Sequence, residues 1–175
     1  VEKRPPASVP FGGRYRLMDF ALSNMVNAGI RTVGLITPYY YRSILDHVGS
    51  GKAWDLSRKN EGLYFLPPYS SDDEMYQGRV DSLADVRTFL DHSNEDYVLL
   101  SDCHMVGNID YAAIVRDHID SGADVTVAYR YGVVPQLADI PQITVDAQGR
   151  EYDFLQEAYP RAEDALEAGF RKGYE

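Results

Sequence analysis

The chain of 175 residues is long enough for one domain with a substantial core and too short for two comfortable ones. Its formal net charge is -10 and its basic residues are scattered, which argues against nucleic-acid binding, because that needs a basic face. A single cysteine excludes an intrachain disulfide framework, and no apolar run approaches the roughly 20 residues of a membrane-spanning helix. The composition predicts a cytoplasmic globular protein.

The N-terminal segment carries a glycine turn flanked by two arginines. Gly12 and Gly13 have turn chemistry, and Arg14 and Arg16 follow two residues apart, on one side of an extended segment. Two guanidinium groups in this arrangement can bind a phosphate or a carboxylate. A solvated basic turn without a ligand explains the same residues equally well.

The next elements have the rhythm of a parallel sheet with crossover helices. Asp19 is the predicted N-cap of a helix that closes at Gly29. Residues 31–37 are mostly apolar and of strand length, as in a strand covered on both faces. A short helix is predicted at 41–48 and a strand at 63–66.

A polar, glycine-flanked loop at 49–62 contains the only tryptophan. Its Gly-Lys pair is not followed by Ser or Thr, which excludes a P-loop. Residues 82–90 repeat apolar side chains at helical spacing. Gly78, just before this helix, would leave backbone N–H groups available to an anion or a base edge, an arrangement that is also common where nothing binds.

The segment 96–110, D-Y-V-L-L-S-D-C-H-M-V-G-N-I-D, is the most informative stretch. Residues 97–100 are predicted to be a buried strand that delivers Asp102 to its carboxyl end, where ligands bind in open α/β sheets. A strand end leading into an acidic helix start is the alternative. Asp110 is the predicted cap of the following helix, and 124–129 alternates as a strand.

The C-terminal pattern is weaker, with a strand at 143–145 and a helix at 162–169. The four histidines lack metal-ligand spacing, and at least three are interpreted as ordinary surface or helix residues. Neither G-x-S-x-G nor G-x-G-x-x-G occurs.

The order of the motifs is more specific than any one of them. Residues 9–37 closely resemble P-F-G-G-K-[YF]-R-I-I-D-F-x-L-S-N-x-x-N-S-G-I of the bacterial glucose-1-phosphate adenylyltransferases, also called ADP-glucose pyrophosphorylases. Residues 76–83 resemble their Y-R-G-T-A-D-A-[VL] motif, 96–110 their strand ending A-G-D-H, and 153–168 their late D-F-x-x-D-[LI]-I-P helix. The resemblance covers nearly the whole chain.

The resemblance implies an α/β fold, a Rossmann-like nucleotidyltransferase domain spanning 1–175 with a mixed, mostly parallel sheet and helices on both faces. The family's Gly-rich triphosphate loop would lie before Val1, and a β-helix domain usually follows. Near Arg150 a segment with an E-K-P motif is expected, and either the chain is shorter there or that segment is missing from the sequence.

The implied reaction is attack of glucose 1-phosphate on the α-phosphate of ATP, giving ADP-glucose and pyrophosphate for glycogen synthesis. Such chemistry needs positive groups around the triphosphate, a carboxylate-bound Mg²⁺ and in-line placement of the sugar phosphate. The resemblance implies nucleotide-binding roles for the residues of its two motifs, Gly12, Gly13, Arg14, Arg16, Gly78 and Asp81.

The metal site departs from the family pattern. Aligning the histidine of G-D-H with His104 puts Cys103 where the metal-binding Asp belongs. Cysteine is a poor Mg²⁺ ligand, and a one-residue shift at a strand end turns the neighbouring Asp102 to the opposite face. The prediction is a degenerate site, with Asp102 as the catalytic and metal-binding candidate and Mg²⁺ binding impaired or lost.

Other family residues are also replaced, a Lys by Pro6 and a Thr-Ala pair by Arg79 and Val80. Together these losses resemble the regulatory, GlgD-type branch, which works with a catalytic GlgC-type subunit in a hetero-oligomer, although a homo-oligomer stays open. Two alternatives are a fully active adenylyltransferase that uses Asp102 for Mg²⁺ and a non-catalytic nucleotide-sugar sensor or scaffold.

Overall fold

The computed structural model describes residues 5–37, 40–59, 61–67, 79–103, 105–129, 143–145 and 151–154. The chain divides into two compact units. One comprises Val1–Met75 with Asp85–Ala128, and the other comprises Tyr76–Ala84 with Tyr129–Glu175.

Helices and strands alternate over residues 15–85, as expected for the α/β class, and two further helices and then two strands follow. In chain order they are β1 (Pro10–Phe11), β2 (Tyr15–Arg16), α1 (Leu17–Asn27), β3 (Thr32–Ile36), α2 (Arg42–Val48), β4 (Gly62–Leu66), α3 (Arg79–Asp85), α4 (Arg87–Asp91), α5 (Tyr111–Ser121), β5 (Ile143–Val145) and β6 (Glu151–Phe154). Single 3₁₀ turns lie at Pro6–Ser8 and Lys52–Trp54. No helix in the described ranges is long and apolar enough to cross a membrane.

The described strands form three separate two-stranded ladders. β1 and β2 pair antiparallel, as do β5 and β6. β3 and β4 pair parallel, with Thr32 opposite Gly62 and Ile36 opposite Leu66, which confirms the predicted crossover between them. The single, mostly parallel sheet that the resemblance implies is not formed by these ladders and stays a prediction.

The main core of the first unit lies among α1, β3 and α2. α1 contributes residues one turn apart, and β3 contributes alternate residues, because these spacings place side chains on one face of a helix and of a strand. The cluster is completed by the end of α2 and by the loop after it. Its members are Met18, Leu22, Val33, Leu35, Ile44, Val48 and Leu56.

The start of α1 differs from the prediction. The helix begins at Leu17, with Arg16 as N-cap, so Asp19 is the third helical residue and not the cap. Asp19 Oδ2 accepts the backbone N–H of Arg16 at 3.0 Å, because a carboxylate in the first turn can reach back to an unpaired donor. Gly29, with φ of 83°, ends the helix as predicted.

The predicted helix at 82–90 is interrupted. α3 ends at Asp85 and α4 begins at Arg87, with the buried Val86 between them. α5 follows the prediction, since Asp110 Oδ1 accepts the N–H of Ala113 at 3.0 Å and Gly122 closes the helix.

The strands predicted at 97–100 and 124–129 are wrong, because neither segment pairs with a described strand. Both instead expose apolar side chains, with Val98 60% exposed. His118 of α5 contacts both segments, through the ring of Tyr97 at 5.5 Å and through Thr126 Oγ1, 2.8 Å from its Nδ1. An apolar run favours a strand only where a neighbouring backbone supplies ladder hydrogen bonds, and sequence periodicity does not report that neighbour.

Candidate nucleotide site

The carboxyl ends of the parallel strands carry an unpaired polar group. Thr37 follows β3 and donates its backbone N–H to the Leu66 carbonyl at 3.2 Å. Its side chain is 1% exposed, and within the described ranges its hydroxyl is the only buried side-chain polar atom without a hydrogen-bond partner. Leaving such a group unpaired costs about 1–3 kcal/mol.

A cavity of about 640 Å³ opens at the end of β4. Its walls combine two phenylalanines with a few polar groups of α4, which is typical of pockets for small ligands. The lining residues are Phe65, Leu66, Pro67, Asp85, Val86, Thr88, Phe89 and His92. His92 Nδ1 donates to the Thr88 carbonyl at 2.7 Å, since a carbonyl can only accept, and this leaves Nε2 as an acceptor in the neutral ring.

The predicted glycine turn is the loop of a hairpin. Gly12 and Gly13 have φ of 59° and 93°, in the region that favours glycine, and they form the loop between β1 and β2 together with Arg14. The Arg14 guanidinium lies 5.6 Å from the centre of the Tyr15 ring. Arg16 differs, because its guanidinium donates to the Ser43 carbonyl on α2. Arg14 is therefore the stronger candidate for anion binding, and a ligand role for Arg16 stays a prediction.

Aromatic contacts fix the hairpin on the first turn of α1. Phe11 meets Phe20 edge-on at 5.4 Å, and Tyr15 lies 6.4 Å from the same ring. Phe11 and Tyr15 remain 45% and 50% exposed. The hairpin is thus held at its base, while the Gly-Gly-Arg tip faces solvent.

Helix α1 also contacts the segment that follows Asp102. Asn24 Nδ2 donates to the Gly107 carbonyl at 2.8 Å. A second cavity, of about 360 Å³, lies at this contact and is lined by Phe20, Ser23, Asn24, Val106, Gly107 and Asn108. The structure therefore links α1 to both the hairpin and the Asp102 segment.

Asp19 belongs to a buried polar network that sequence reasoning missed. His47 Nε2 donates to Asp19 Oδ1 at 2.7 Å, from α2 to α1. The same imidazole meets the Trp54 ring edge-on at 6.4 Å, and Trp54 Nε1 donates to Ser23 Oγ at 3.2 Å. No spacing rule connects residues 28 positions apart, so the sequence alone does not indicate this contact.

Cys103 packs against the main core, directly after Asp102. Burial, together with the negative charge of Asp102, raises the pKa of the Cys103 thiol to about 11. The thiol is therefore neutral near pH 7. The turn around it is held by Ser101, whose hydroxyl lies 2.6 Å from that of the buried Tyr111.

These surroundings do not fit the Mg²⁺ site that the family implies. Mg²⁺ requires hard oxygen donors, and a neutral thiol supplies none. Within the described ranges, no group of three or more His, Cys, Asp or Glu side chains converges to hold a metal. Among the residues that the structure describes, no carboxylate cluster therefore surrounds Asp102.

The remaining predicted site residues are only partly covered. Gly78 and His104 lie outside the described residues, as does the helix predicted at 162–169. Asp81 lies in α3, within the second unit, and its side chain is not described.

These features define an α/β domain with a cavity at the carboxyl end of a parallel strand pair and a glycine hairpin beside its first helix. The family model described as "Nucleotidyl transferase" matches residues 2–140, and the chain belongs to this family.

Similar proteins include two glycogen biosynthesis proteins and an adenylyltransferase. "Glycogen biosynthesis protein GlgD" of Geobacillus stearothermophilus is 46% identical over 131 residues, covering 72% of this chain and 37% of the relative. The GlgD protein of Bacillus subtilis (strain 168) is 36% identical over 170 residues, covering 94% and 50%. "Glucose-1-phosphate adenylyltransferase" of Clostridium kluyveri is 37% identical over 151 residues, covering 80% and 39%. The chain spans half or less of the length of these relatives, which confirm the resemblance.

Proposed function

We propose that this chain is the nucleotidyltransferase domain, over 1–175, of a subunit of glucose-1-phosphate adenylyltransferase. The assembly makes ADP-glucose from ATP and glucose 1-phosphate in the cytoplasm for glycogen synthesis. This chain is its regulatory, catalytically impaired member and works with a catalytic, GlgC-type subunit. Membership of the nucleotidyl transferase family and the two kinds of relatives support the proposal.

The proposal of impaired catalysis rests on Cys103. Nucleotidyl transfer depends on neutralising negative charge as it moves from the attacking to the leaving phosphate, and family members are expected to use Mg²⁺ for this. A neutral thiol packed against the core, in the position that the motif assigns to a metal-binding Asp, cannot hold that ion. The chain alone therefore lacks the main electrostatic component of the reaction.

In this proposal the chain still binds a nucleotide, because the cavity and the hairpin residues proposed to bind it do not depend on the metal. The cavity beside β4 has apolar walls that suit a base. The hairpin presents Gly12, Gly13 and Arg14 to an anionic group. Arg16, Gly78 and Asp81 are proposed to contribute by resemblance to the family motifs.

The test is an ADP-glucose pyrophosphorolysis assay on the full-length protein, alone and mixed with a GlgC-type catalytic subunit. We expect negligible activity alone and a changed rate or effector response in the mixture. Robust activity alone that collapses in Asp102→Ala would instead identify an active enzyme using Asp102. Nucleotide binding with no effect on the partner would identify a sensor or scaffold. Asp117→Ala, on the exposed surface of α5, is the matched control for the Asp102 variant.

A further inference from the structure

Two contacts hold the hairpin base, one to α1 and one to α2, and both involve Arg16. Its backbone N–H donates to Asp19 Oδ2 at 3.0 Å, and its guanidinium donates to the Ser43 carbonyl. Ser43 Oγ in turn donates to Ser8 Oγ, 3.1 Å away in the turn that precedes β1. Ser8, before the hairpin, and Arg16, at its end, are therefore both hydrogen-bonded to Ser43 of α2.

Asp19 connects these contacts to the tryptophan loop, residues 49–59. Its two carboxylate oxygens have different partners, since Oδ2 accepts from the hairpin and Oδ1 accepts from His47 at 2.7 Å. Its neighbour Met18 is fully buried in the core, which fixes the first turn of α1. A displacement of the hairpin must therefore either break a hydrogen bond to Asp19 or alter the bond to His47.

His47 also contacts Trp54, the only tryptophan in the chain. The imidazole lies edge-on to the indole at an interplanar angle of 66°, and the indole N–H is held by Ser23 of α1. The network thus begins and ends on α1, at Asp19 and at Ser23. Hydrogen bonds that share one buried carboxylate are coupled, because each alters the charge that the other meets.

We propose that Asp19 and His47 are positioning residues that hold the Gly12-Gly13-Arg14 tip for a phosphate-bearing ligand and couple its occupancy to Trp54. The inference rests on the proposed function, since the ligand class is the nucleotide sugar of that function. It adds that the phosphate-binding hairpin and the tryptophan loop act as one unit.

The experiment titrates the full-length protein with ADP-glucose and records calorimetric heat and tryptophan emission together, with Trp54→Phe as the reference that isolates the contribution of Trp54. His47→Phe keeps a ring against Trp54 and removes the hydrogen bond to Asp19. We expect wild-type emission to change in step with saturation. In His47→Phe, affinity falls about fivefold and the emission change falls below about half. His47→Gln, whose amide can donate to Asp19, is expected to restore both.

His118→Phe is the matched control, because His118 also combines an edge-on aromatic contact with one side-chain hydrogen bond but has no contact with the hairpin. It should leave affinity within about twofold of wild type. Should His47→Phe fail to fold in urea titrations, Asp19→Asn takes its place, and this variant must show the same loss of coupling.

The outcomes separate the two proposals. Absence of heat with wild-type protein would overturn the proposed function and this inference with it. Binding without a Trp54 response, or a His47→Phe protein that binds and responds as wild type does, would overturn the inference alone. A lower urea midpoint in His47→Phe with unchanged affinity and response would reduce His47 to a structural residue.

Discussion

Gly34 of β3 packs against the ring of Phe89 of α4. A methyl group at Gly34 would come within 2.8 Å of Phe89 Cε1 and equally close to Leu66 Cδ1 on the neighbouring strand. Real Cβ contacts essentially never approach so closely, and the absent side chain therefore lets α4 pack on the parallel pair. Because Phe89 and Leu66 also line the cavity, this packing sets the shape of the candidate site.

Gly34→Ala is expected to lower the free energy of unfolding by about 1–3 kcal/mol, because the methyl group overpacks a contact that has no room. The measurement is urea unfolding followed by far-ultraviolet circular dichroism. Gly107→Ala is the control, since its added Cβ would meet only Ile109 Cγ1 at an ordinary 3.8 Å. Equal losses in the two variants would contradict the packing of Phe89 on Gly34.

The cap of α5 gives a second prediction. Asp110→Ala removes the acceptor for the Ala113 N–H and should cost about 1 kcal/mol of stability. Asp110→Asn keeps an acceptor and should lose only part of this. Asp117→Ala on the same helix is exposed and lies outside the first turn, so thermal unfolding should show little change for it. A larger loss for Asp117→Ala than for Asp110→Ala would refute the cap.

Local signals were predictable from the sequence because each depends on a few neighbouring residues. The Asp110 cap, the Gly29 stop and the Gly12-Gly13 turn follow from the side-chain and backbone chemistry of those positions alone. The 32–36 and 62–66 strands were found for a related reason, since each is apolar and bounded by turn residues.

Tertiary features were not predictable in this way. Residues 97–100 have strand composition but pair with none of the described strands, and composition does not report partners. The Asp19–His47 contact and the unpaired Thr37 hydroxyl depend on how α1, α2 and β3 pack, which no spacing rule encodes. The position of Cys103 against the core likewise emerges only from packing.

The raised pKa of Cys103 predicts alkaline destabilisation. In the unfolded chain the thiol ionises near its ordinary pKa of 9.0, whereas in the folded protein it ionises near 11. Between these values the unfolded state binds fewer protons, so stability is full below about pH 9 and falls as pH rises toward 11. Two pKa units set an upper limit of about 2.7 kcal/mol on this loss.

Urea midpoints measured from pH 8 to 11 test this, with Cys103→Ala as the control that lacks the titrating group. We expect the wild-type midpoint to fall more steeply than that of the variant. The thiol should also react slowly with iodoacetamide at pH 8 and rapidly after unfolding, because the thiolate is the nucleophile. If the urea midpoints of wild type and Cys103→Ala fall equally with pH, the thiol is not buried as the structure has it.

Cys103→Asp tests the degenerate metal site directly. A carboxylate next to Asp102 would supply the hard oxygen donor that the thiol lacks, so ATP binding measured by calorimetry should become several-fold tighter with Mg²⁺ than without it. Cys103→Asn has nearly the same size without the charge, and it should show no such dependence on the metal. Burying a carboxylate against the core will also lower stability, and urea titration must first establish that both variants are folded. If folded Cys103→Asp binds ATP equally with and without Mg²⁺, then Cys103 does not occupy the position of the family's metal ligand, and the impaired state must have another cause.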